Sequence, residues 1–428
     1  MAGVGRADLG ILGGGQLARM LLQAATALGL DVAVMEQAAD SPAGRLTRHE
    51  VVGAWDDEAA LRRLAGLTPT IILENEFVPA RSLYLLESWD VTVVPDRTAL
   101  AATQDKLHQK ARLDEAGLPV PPFRPAGGAD DVREAARDWG WPLLLKRRRN
   151  GYDGYGNRVA HGPADIDEAM AALQGPLDRP AAERALLVEA YVPFERELAV
   201  MVARGCGCGP TSATVDGDVD GDMGGDVDGD VNGDVDGDVN GDVNGGGKDE
   251  VRLYPVVETV QRNGICHQVR APAAVPDDVA ARAASLARAA VRALGLRGVV
   301  GVELFLSADG ALTVNELAPR VHNSGHYSIE ACGASQFENA VRAALGWPLG
   351  DTSMVAPAAA MVNLLGAADS PTRVGGLEQA LDVRGAHIHL YGKRQSRPGR
   401  KMGHVTALGA TPDEAVAIAT EAASRLTV

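Results

Sequence analysis

The chain is poor in aromatic residues, poor in cysteine and without a long apolar run. Aromatics make up only 4% of its 428 residues, so its cores must be assembled mainly from Ala, Val and Leu. The four cysteines, Cys206, Cys208, Cys266 and Cys332, follow neither a disulfide framework nor a zinc spacing, and Cys206-Gly207-Cys208 lacks the histidine partners a metal would want. That usage points to a reducing, cytoplasmic setting. No stretch reaches the apolar length that spans a bilayer, and residues 1–8 lack a basic region followed by an apolar one, so no membrane anchor or signal peptide is expected. Positive charge is not in excess either. The formal net charge is −16, and even the mildly acidic remainder outside one acidic tract shows no general bias toward nucleic acid or anionic membrane.

Most of that acidity is local. Residues 215–249 hold twelve Asp and one Lys, a net of −11, which leaves −5 for everything else. This tract repeats Val-Asp-Gly-Asp and Val-Asn-Gly-Asp, and its few small apolar side chains cannot offset the entropy of ordering. Residues 205–249 are therefore expected to be a low-complexity, disordered insert between two neighbouring strands, at 197–202 and 252–260. The Asp-x-Asp-x-Asp-Gly spacing invites a calcium-loop reading, but the twelfth-position glutamate and the flanking helices are missing.

Elsewhere the chain carries recognisable elements. Residues 9–12 read as a buried strand that runs into Gly13-Gly14-Gly15, followed by a helix from about Gln16 to Leu28 and a strand at 32–35. This is a βαβ opening whose glycine turn and helix N-terminus suit a phosphorylated small substrate. The spacing lacks the full GxGxxG fingerprint, so an NAD site is the second reading. A further parallel strand at 70–73 delivers Glu74 and Glu76 at its carboxyl end, as a ligand-binding α/β sheet would. A polar helix over 104–116 puts Lys106 and Lys110 on one face, and the proline-rich run at 118–122 ends it.

Further on, a strand at 141–145 delivers Lys146 beside the glycine loop Asn150-Gly151-Tyr152-Asp153-Gly154-Tyr155-Gly156-Asn157. A lysine with a flexible glycine loop suits nucleotide phosphates, though this is not a Walker spacing. Residues 185–192 read as a strand and hinge, and Glu197 lies on a strand with carboxylates at alternate positions. An apolar run at 299–306 carries Glu303, and Asn315-Glu316 follows after the turn Ala308-Asp309-Gly310. Antiparallel pairing would bring the two carboxylates to neighbouring positions, an arrangement that a hard divalent cation and substrate phosphates require. The bland alternative is a hairpin with solvated charges. A basic turn at 393–401 offers an anion site, and Thr411-Pro412-Asp413-Glu414 is a capping box.

Four of these motifs in this order resemble the N5-carboxyaminoimidazole ribonucleotide synthetases of the ATP-grasp superfamily. They are Gly13–Leu17, Lys146 with Gly151-Tyr152-Asp153-Gly154, the block from Asn315 to His326, and the run from Arg397 to His404. The resemblance covers nearly the whole chain outside the Asp-Gly insert. It implies a mixed α/β and α+β chain with an N-terminal βαβ (pre-ATP-grasp) domain at 1–103, central ATP-grasp lobes at 104–350 and a small C-terminal domain at 351–428. It also implies a carbon–nitrogen ligase of purine biosynthesis, homodimeric, that uses ATP, bicarbonate and 5-aminoimidazole ribonucleotide, with magnesium or alternatively manganese. A formate-using glycinamide ribonucleotide transformylase, a biotin carboxylase and a non-catalytic nucleotide-binding regulator are the competing readings.

Carried over by residue, the resemblance assigns ATP to Lys106, Lys146, the loop from Gly151 to Asn157, the hinge Glu189-Ala190-Tyr191-Val192, and Glu197, Gln261, Asn315 and Glu316. Glu303 and Glu316 become metal ligands. Gln16, Leu17, Glu74, Glu76, Tyr152, Asp153, Lys393, Arg400 and Lys401 fall to the ribonucleotide. Arg320, His322 and Asn323, with Lys393, become the catalytic groups around bicarbonate. Gln261 stands where family members often carry an ATP-contacting histidine, and Asn75 and Phe77 depart from the family's Glu-Phe-Glu-Asn order.

Overall fold

The computed structural model describes residues 6–151, 156–175, 184–205, 249–262 and 264–428. Tyr152, Asp153, Gly154 and Tyr155, the repeat tract, Cys206 and Cys208 lie outside the described residues.

Strands β1 (Leu9–Leu12), β2 (Val32–Glu36), β3 (His49–Val52), β4 (Thr70–Leu73) and β5 (Thr92–Val94) form a parallel sheet in the order β3-β2-β1-β4-β5. Its central strand β1 is buried along its whole length, and β2 and β4 are apolar but for Glu36 and Thr70 at their ends, because helices cover both faces. Strand order reverses between β1 and β4, so their carboxyl ends, at Gly13 and Glu74, open a crevice suited to a ligand.

A smaller antiparallel sheet follows, from β6 (Phe123–Ala126), β7 (Leu143–Arg147), β8 (Asn157–Ala160) and β9 (Leu186–Ala190), in the order β6-β9-β7-β8. The helices Ala129–Trp139 and Ile166–Gln174 cover it, and Val132, Leu143, Leu145, Ile166 and Leu173 fill the space between.

The third sheet is the largest. It contains β10 (Phe194–Arg204), β11 (Val251–Leu253), β12 (Val257–Arg262), β13 (Ile265–Ala271), β14 (Gly298–Ser307), β15 (Leu312–Ala318), β16 (Ala358–Leu365), β18 (Ala386–Leu390) and β20 (Lys401–Gly409). Its order is β15-β14-β10-β12-β13-β16-β20-β18, with β11 paired to β10. β17 (Ser370–Pro371) and β19 (Gln395–Ser396) make a separate two-strand ribbon. β13 pairs with β16, with Val269 opposite Met361, so strands on either side of residue 350 belong to one continuous sheet. Hydrogen bonding between strands some ninety residues apart leaves no local sequence signal, so this pairing across the expected boundary was not legible in the sequence.

The helix expected across 104–116 is present as Lys106–Glu115, and a separate helix precedes it. Arg97–Gln104 ends at Asp105, whose extended backbone (φ −105°, ψ 110°) restarts the chain as Lys106–Glu115. The Asp105 carboxylate caps the new helix by accepting from Leu107 N at 3.0 Å. The turn points Lys106 and Lys110 at β15. The last helix, Pro412–Ser424, opens on the expected Thr411 cap, with Glu414 N donating to Thr411 Oγ1 at 3.2 Å, while Glu414 Oε2 accepts from Ala410 N at 2.8 Å, one residue before the donor a capping box uses.

Candidate active site

The hairpin β14–β15 pairs Glu303 directly with Glu316 across the strands. A regular strand would send Asn315 and Glu316 to opposite faces. The register shifts by one residue between Glu303 and Leu304, so Asn315 is the extra residue of a β-bulge. That bulge lets both neighbours serve one cavity. Asn315 Nδ2 donates to Glu303 Oε2 at 3.2 Å, and Asn315 Oδ1 accepts from Lys146 Nζ at 3.0 Å.

Lysines converge on this edge. Lys106 pairs with Glu316, and Lys110 Nζ donates to the Asn315 carbonyl at 3.0 Å. Glu189 is buried between Lys110 (3.2 Å) and Lys146 (2.9 Å). It is an internal counter-ion that holds two lysine heads in place. Burial opposes the charge on Glu189, but the two ammonium groups outweigh it and lower its pKa. Burial lowers Lys110 to about 8 despite Glu189. Glu303 moves the other way, pushed up to about 8 by burial and then by the like charges of Glu197 and Glu316. Glu316 is held down at about 2, because Lys106 and Lys146 outweigh the burial that would raise it.

Lys106, Lys146, Glu303, Asn315 and Glu316 line a cavity of about 680 Å³ between the small antiparallel sheet and the large one. Lys146, Gly151, Gly156 and Asn157 border it on one side, and Glu197, Gln261, Glu303, Asn315 and Glu316 on the other. Glu197 Oε1 accepts from both Thr259 Oγ1 and Gln261 Nε2, each at 2.7 Å. Phe194 and Phe305, stacked with centroids 4.5 Å apart, give the cavity an apolar wall. Neither ring was singled out from sequence. The available signal was the strand period, which places Phe305 on the same face as Glu303 two residues earlier.

Glu76, Arg320, His322 and Lys401 close the far end. Arg320 forms a two-pronged pair with Glu76, one prong being Nη2 to Oε1 at 3.0 Å. Burial opposes the Glu76 charge, yet the guanidinium outweighs it and holds its carboxyl below the usual range. His322 Nδ1 lies 2.9 Å from Ser324 Oγ, and its Nε2 3.5 Å from Glu303 Oε1.

Several other expected residues are not among those that line the cavity. Asn323 is buried, its amide exchanges two hydrogen bonds with Asn363 (3.1 and 2.7 Å), and it is not among the residues that line the cavity. Ala190, Tyr191 and Val192 are likewise not among the lining residues, and Ala190 N donates to Pro122 O at 2.9 Å. Gln16 and Leu17 start the first helix, where Leu17 N donates to Glu74 Oε1 at 3.3 Å. A side chain at Gly15 would put its Cβ 2.4 Å from that same oxygen, so glycine is required there for the carboxylate to approach. Burial raises the Glu74 pKa against the help of Asn75 and Arg320. In the basic turn, Lys401 is buried and lines the cavity, Lys393 Nζ donates to the Lys401 carbonyl at 2.6 Å, and Arg400 Nη1 donates to the exposed Gln395 carbonyl at 2.8 Å.

Comparison with known proteins agrees with this architecture. The model of the ribonucleotide synthetase preATP-grasp domain matches residues 6–104, that of the ATP-grasp domain residues 111–213 and 245–337, and that of the phosphoribosylaminoimidazole carboxylase C-terminal domain residues 359–417. The N5-carboxyaminoimidazole ribonucleotide synthase of Synechococcus elongatus is 39% identical over 399 residues, covering 93% of this chain and 88% of its own length. Its counterpart in Mycobacterium tuberculosis is 39% identical over 406 residues, with 93% and 83% covered. A crystal structure of the Aspergillus clavatus carboxyaminoimidazole ribonucleotide synthase complexed with ATP superposes with a TM-score of 0.80 at 34% identity, covering 98% of this chain and 99% of that one. The same enzyme in complex with ADP and 5-aminoimidazole ribonucleotide also gives 0.80, at 33% identity and equal coverage. With identity sustained along nearly the whole chain and the three domain models in the expected order, the chain belongs to the N5-carboxyaminoimidazole ribonucleotide synthases, ATP-dependent ligases of purine biosynthesis built on the ATP-grasp fold.

Proposed function

We propose that this cavity carries out the ATP-dependent carboxylation of 5-aminoimidazole ribonucleotide by bicarbonate, giving N5-carboxyaminoimidazole ribonucleotide, ADP and phosphate. One observation carries the reading: Glu303, Asn315 and Glu316 meet Lys106 and Lys146 in a single cavity. Two carboxylates and an amide fit a hard divalent cation that completes its shell from phosphates. The like charges that raise Glu303 also favour a cation beside it. Glu303 and Glu316 would therefore hold Mg2+, with Mn2+ as the alternative, and the ion would neutralise phosphate charge. Lys106 and Lys146 take the phosphates, Glu197 with Gln261 takes the ribose, and the Phe194–Phe305 pair takes the base.

Bicarbonate is a poor electrophile and needs activation. Its oxygen attacks the γ-phosphorus, ADP leaves, and carboxyphosphate forms beside Arg320 and His322. The amine of the ribonucleotide then bonds to the carboxyl carbon while phosphate departs with the C–O electron pair and the amine loses a proton. Lys401, at the far end of the cavity, and Glu74, at the carboxyl end of β4, are the contacts proposed for the ribonucleotide. The family resemblance further supports a cytoplasmic homodimer. Among the described residues no helix is long and apolar enough to cross a membrane.

The test is ADP release by purified protein with ATP, Mg2+ and bicarbonate, with and without the ribonucleotide. Release should depend on all four, and Glu316→Gln should lower it by about a hundredfold or more, as expected when an ion that offsets phosphate charge is lost. Release that ignores bicarbonate, or that survives E316Q intact, refutes the reading.

A further inference from the structure

The strip Leu317–His322 carries Arg320 and His322 into the cavity, yet its inner residues lie beyond the end of β15. Leu317, on the edge strand, turns its peptide groups away from the sheet, residues past Ala318 have no strand ladder, and buried peptide groups need partners. Two glutamines supply them. Gln109 Nε2 donates to the Leu317 carbonyl and Gln109 Oε1 accepts from Leu317 N, both at 2.9 Å. Gln336, from the helix Gln336–Ala344, does the same at the other end: its Oε1 accepts from His322 N at 2.9 Å and its Nε2 donates to the His322 carbonyl at 2.8 Å.

Gln336 is fully buried and is not among the residues that line the cavity. Its remaining N–H points at His326 Nδ1, 3.0 Å away. Accepting that bond requires a neutral His326 ring with its proton on Nε2. Burial, together with nearby His322 and Lys401, holds His326 well below the usual histidine value, in keeping with that tautomer. The amide orientation follows from its partners, because a backbone N–H must meet Oε1 and a carbonyl must meet Nε2. Gln336 is also held from behind: its N donates to Ser328 Oγ at 2.9 Å, and Ser328 Oγ donates to the Gly325 carbonyl at 2.6 Å. At Gly325 itself a Cβ would sit 2.5 Å from Gln336 Oε1, so glycine there is what lets the amide approach.

We infer that Gln336 is a positioning residue for the bicarbonate step, acting through His322 by fixing both peptide groups that set where the imidazole lies. The inference rests on the reading of His322 as a group that contacts bicarbonate or carboxyphosphate. With both peptide groups held, the side chain has only its own torsions left, and Ser324 Oγ at 2.9 Å restricts those. Loss of the clamp leaves the chemical groups of the site in place and blurs their placement, while Gln109 and the metal hairpin keep the ATP end unchanged.

A double-mutant cycle tests this in the full-length protein, with His322→Ala, Gln336→Met and the combination. Rates of ADP release are measured against bicarbonate and, separately, against ATP. H322A and Q336M should each lower kcat/KM for bicarbonate by about tenfold or more, and the double variant should be no worse than H322A alone. KM for ATP should stay within about twofold, a bound set by additivity between separated sites. Losses that multiply in the double variant, or a Q336M defect that falls on ATP, overturn the positioning role while leaving the role of His322 intact. An H322A enzyme with unchanged bicarbonate kinetics sinks both. If Q336M does not fold, Gln336→Glu runs the same cycle: it keeps an acceptor for His322 N but sets a second oxygen against the His322 carbonyl.

Discussion

Glu303 and Glu316 face each other across one strand pair, yet their surroundings drive them apart. Burial and the charges of Glu197 and Glu316 push Glu303 up to about 8, whereas Lys106 and Lys146 hold Glu316 at about 2. The consequence for stability has a definite sign. Between 4.5, the ordinary value, and about 8, folded Glu303 keeps a proton that the unfolded chain has released. Its contribution is therefore fully present below 4.5 and is lost as pH rises to about 8. Glu316 works in the opposite direction and in a separate window, losing its contribution as pH falls from 4.5 to about 2. Without nucleotide or metal, unfolding free energy should thus fall with pH across the Glu303 window, by at most about 1.4 kcal/mol per unit from this group. Calorimetry of Glu303→Gln should give a flatter pH dependence there. Identical slopes in the two proteins would mean that Glu303 ionises normally. From sequence, the types and order of these carboxylates could be read, because a strand period and a turn suffice to pair them. The opposed shifts could not, since they depend on lysines up to 210 positions away.

At the scale of elements, the helix Lys106–Glu115 and the hairpin β14–β15 act as one unit. Lys106, Gln109 and Lys110, spaced at three and four residues, lie along one helical face and meet Glu316, Leu317 and Asn315 in turn. β15 is the edge of the large sheet, and Gln109 satisfies the outward N–H and C=O of Leu317 as a neighbouring strand would. Gln109→Met should leave both groups without partners and cost roughly 1–3 kcal/mol for each that stays dry. Urea denaturation should reveal that loss, and KM for ATP should rise because Glu316 adjoins the clamp. A midpoint unchanged from the wild type would mean that water replaces the glutamine. The helix and both strands were legible from their periods. What escaped was the break at Asp105 and the bulge at Asn315. Each is a one-residue irregularity, held in place by tertiary partners: Arg148 lies 2.7 Å from the Asp105 carboxylate, and Lys146 3.0 Å from the Asn315 amide oxygen. Sequence period reports regular stretches and passes over such points.

For the whole molecule, the order of the motifs along the chain announced three regions, and the joining of strands from the second and third into one large sheet came only from long-range pairing. The same sheet explains how the chain carries its acidic tract. β10 and β11 form an antiparallel pair with Arg204 opposite Val251, and Gly205 N donates to the Glu250 carbonyl at 2.9 Å. The two ends of segment 206–248 therefore leave the fold side by side, and Arg204 and Arg292 both pair with Asp249 at the point of return. A connection that starts and ends at one place can change length with little effect on the rest. Loop closure costs only about 0.6 kcal/mol for each doubling of length. Deleting residues 215–244 and closing with a short Gly-Ser turn should accordingly leave kcat and all three KM values within about twofold and raise stability by less than about 1.5 kcal/mol, the closure term for a loop shortened severalfold. It removes eleven aspartates, so elution from an anion exchanger should move to distinctly lower salt. Measuring activity, melting temperature and elution together makes the outcome decisive. Loss of activity in a deletion variant that still melts cooperatively would show that the tract takes part in the reaction, and a melting temperature raised by calcium in the intact chain alone would give it a binding role.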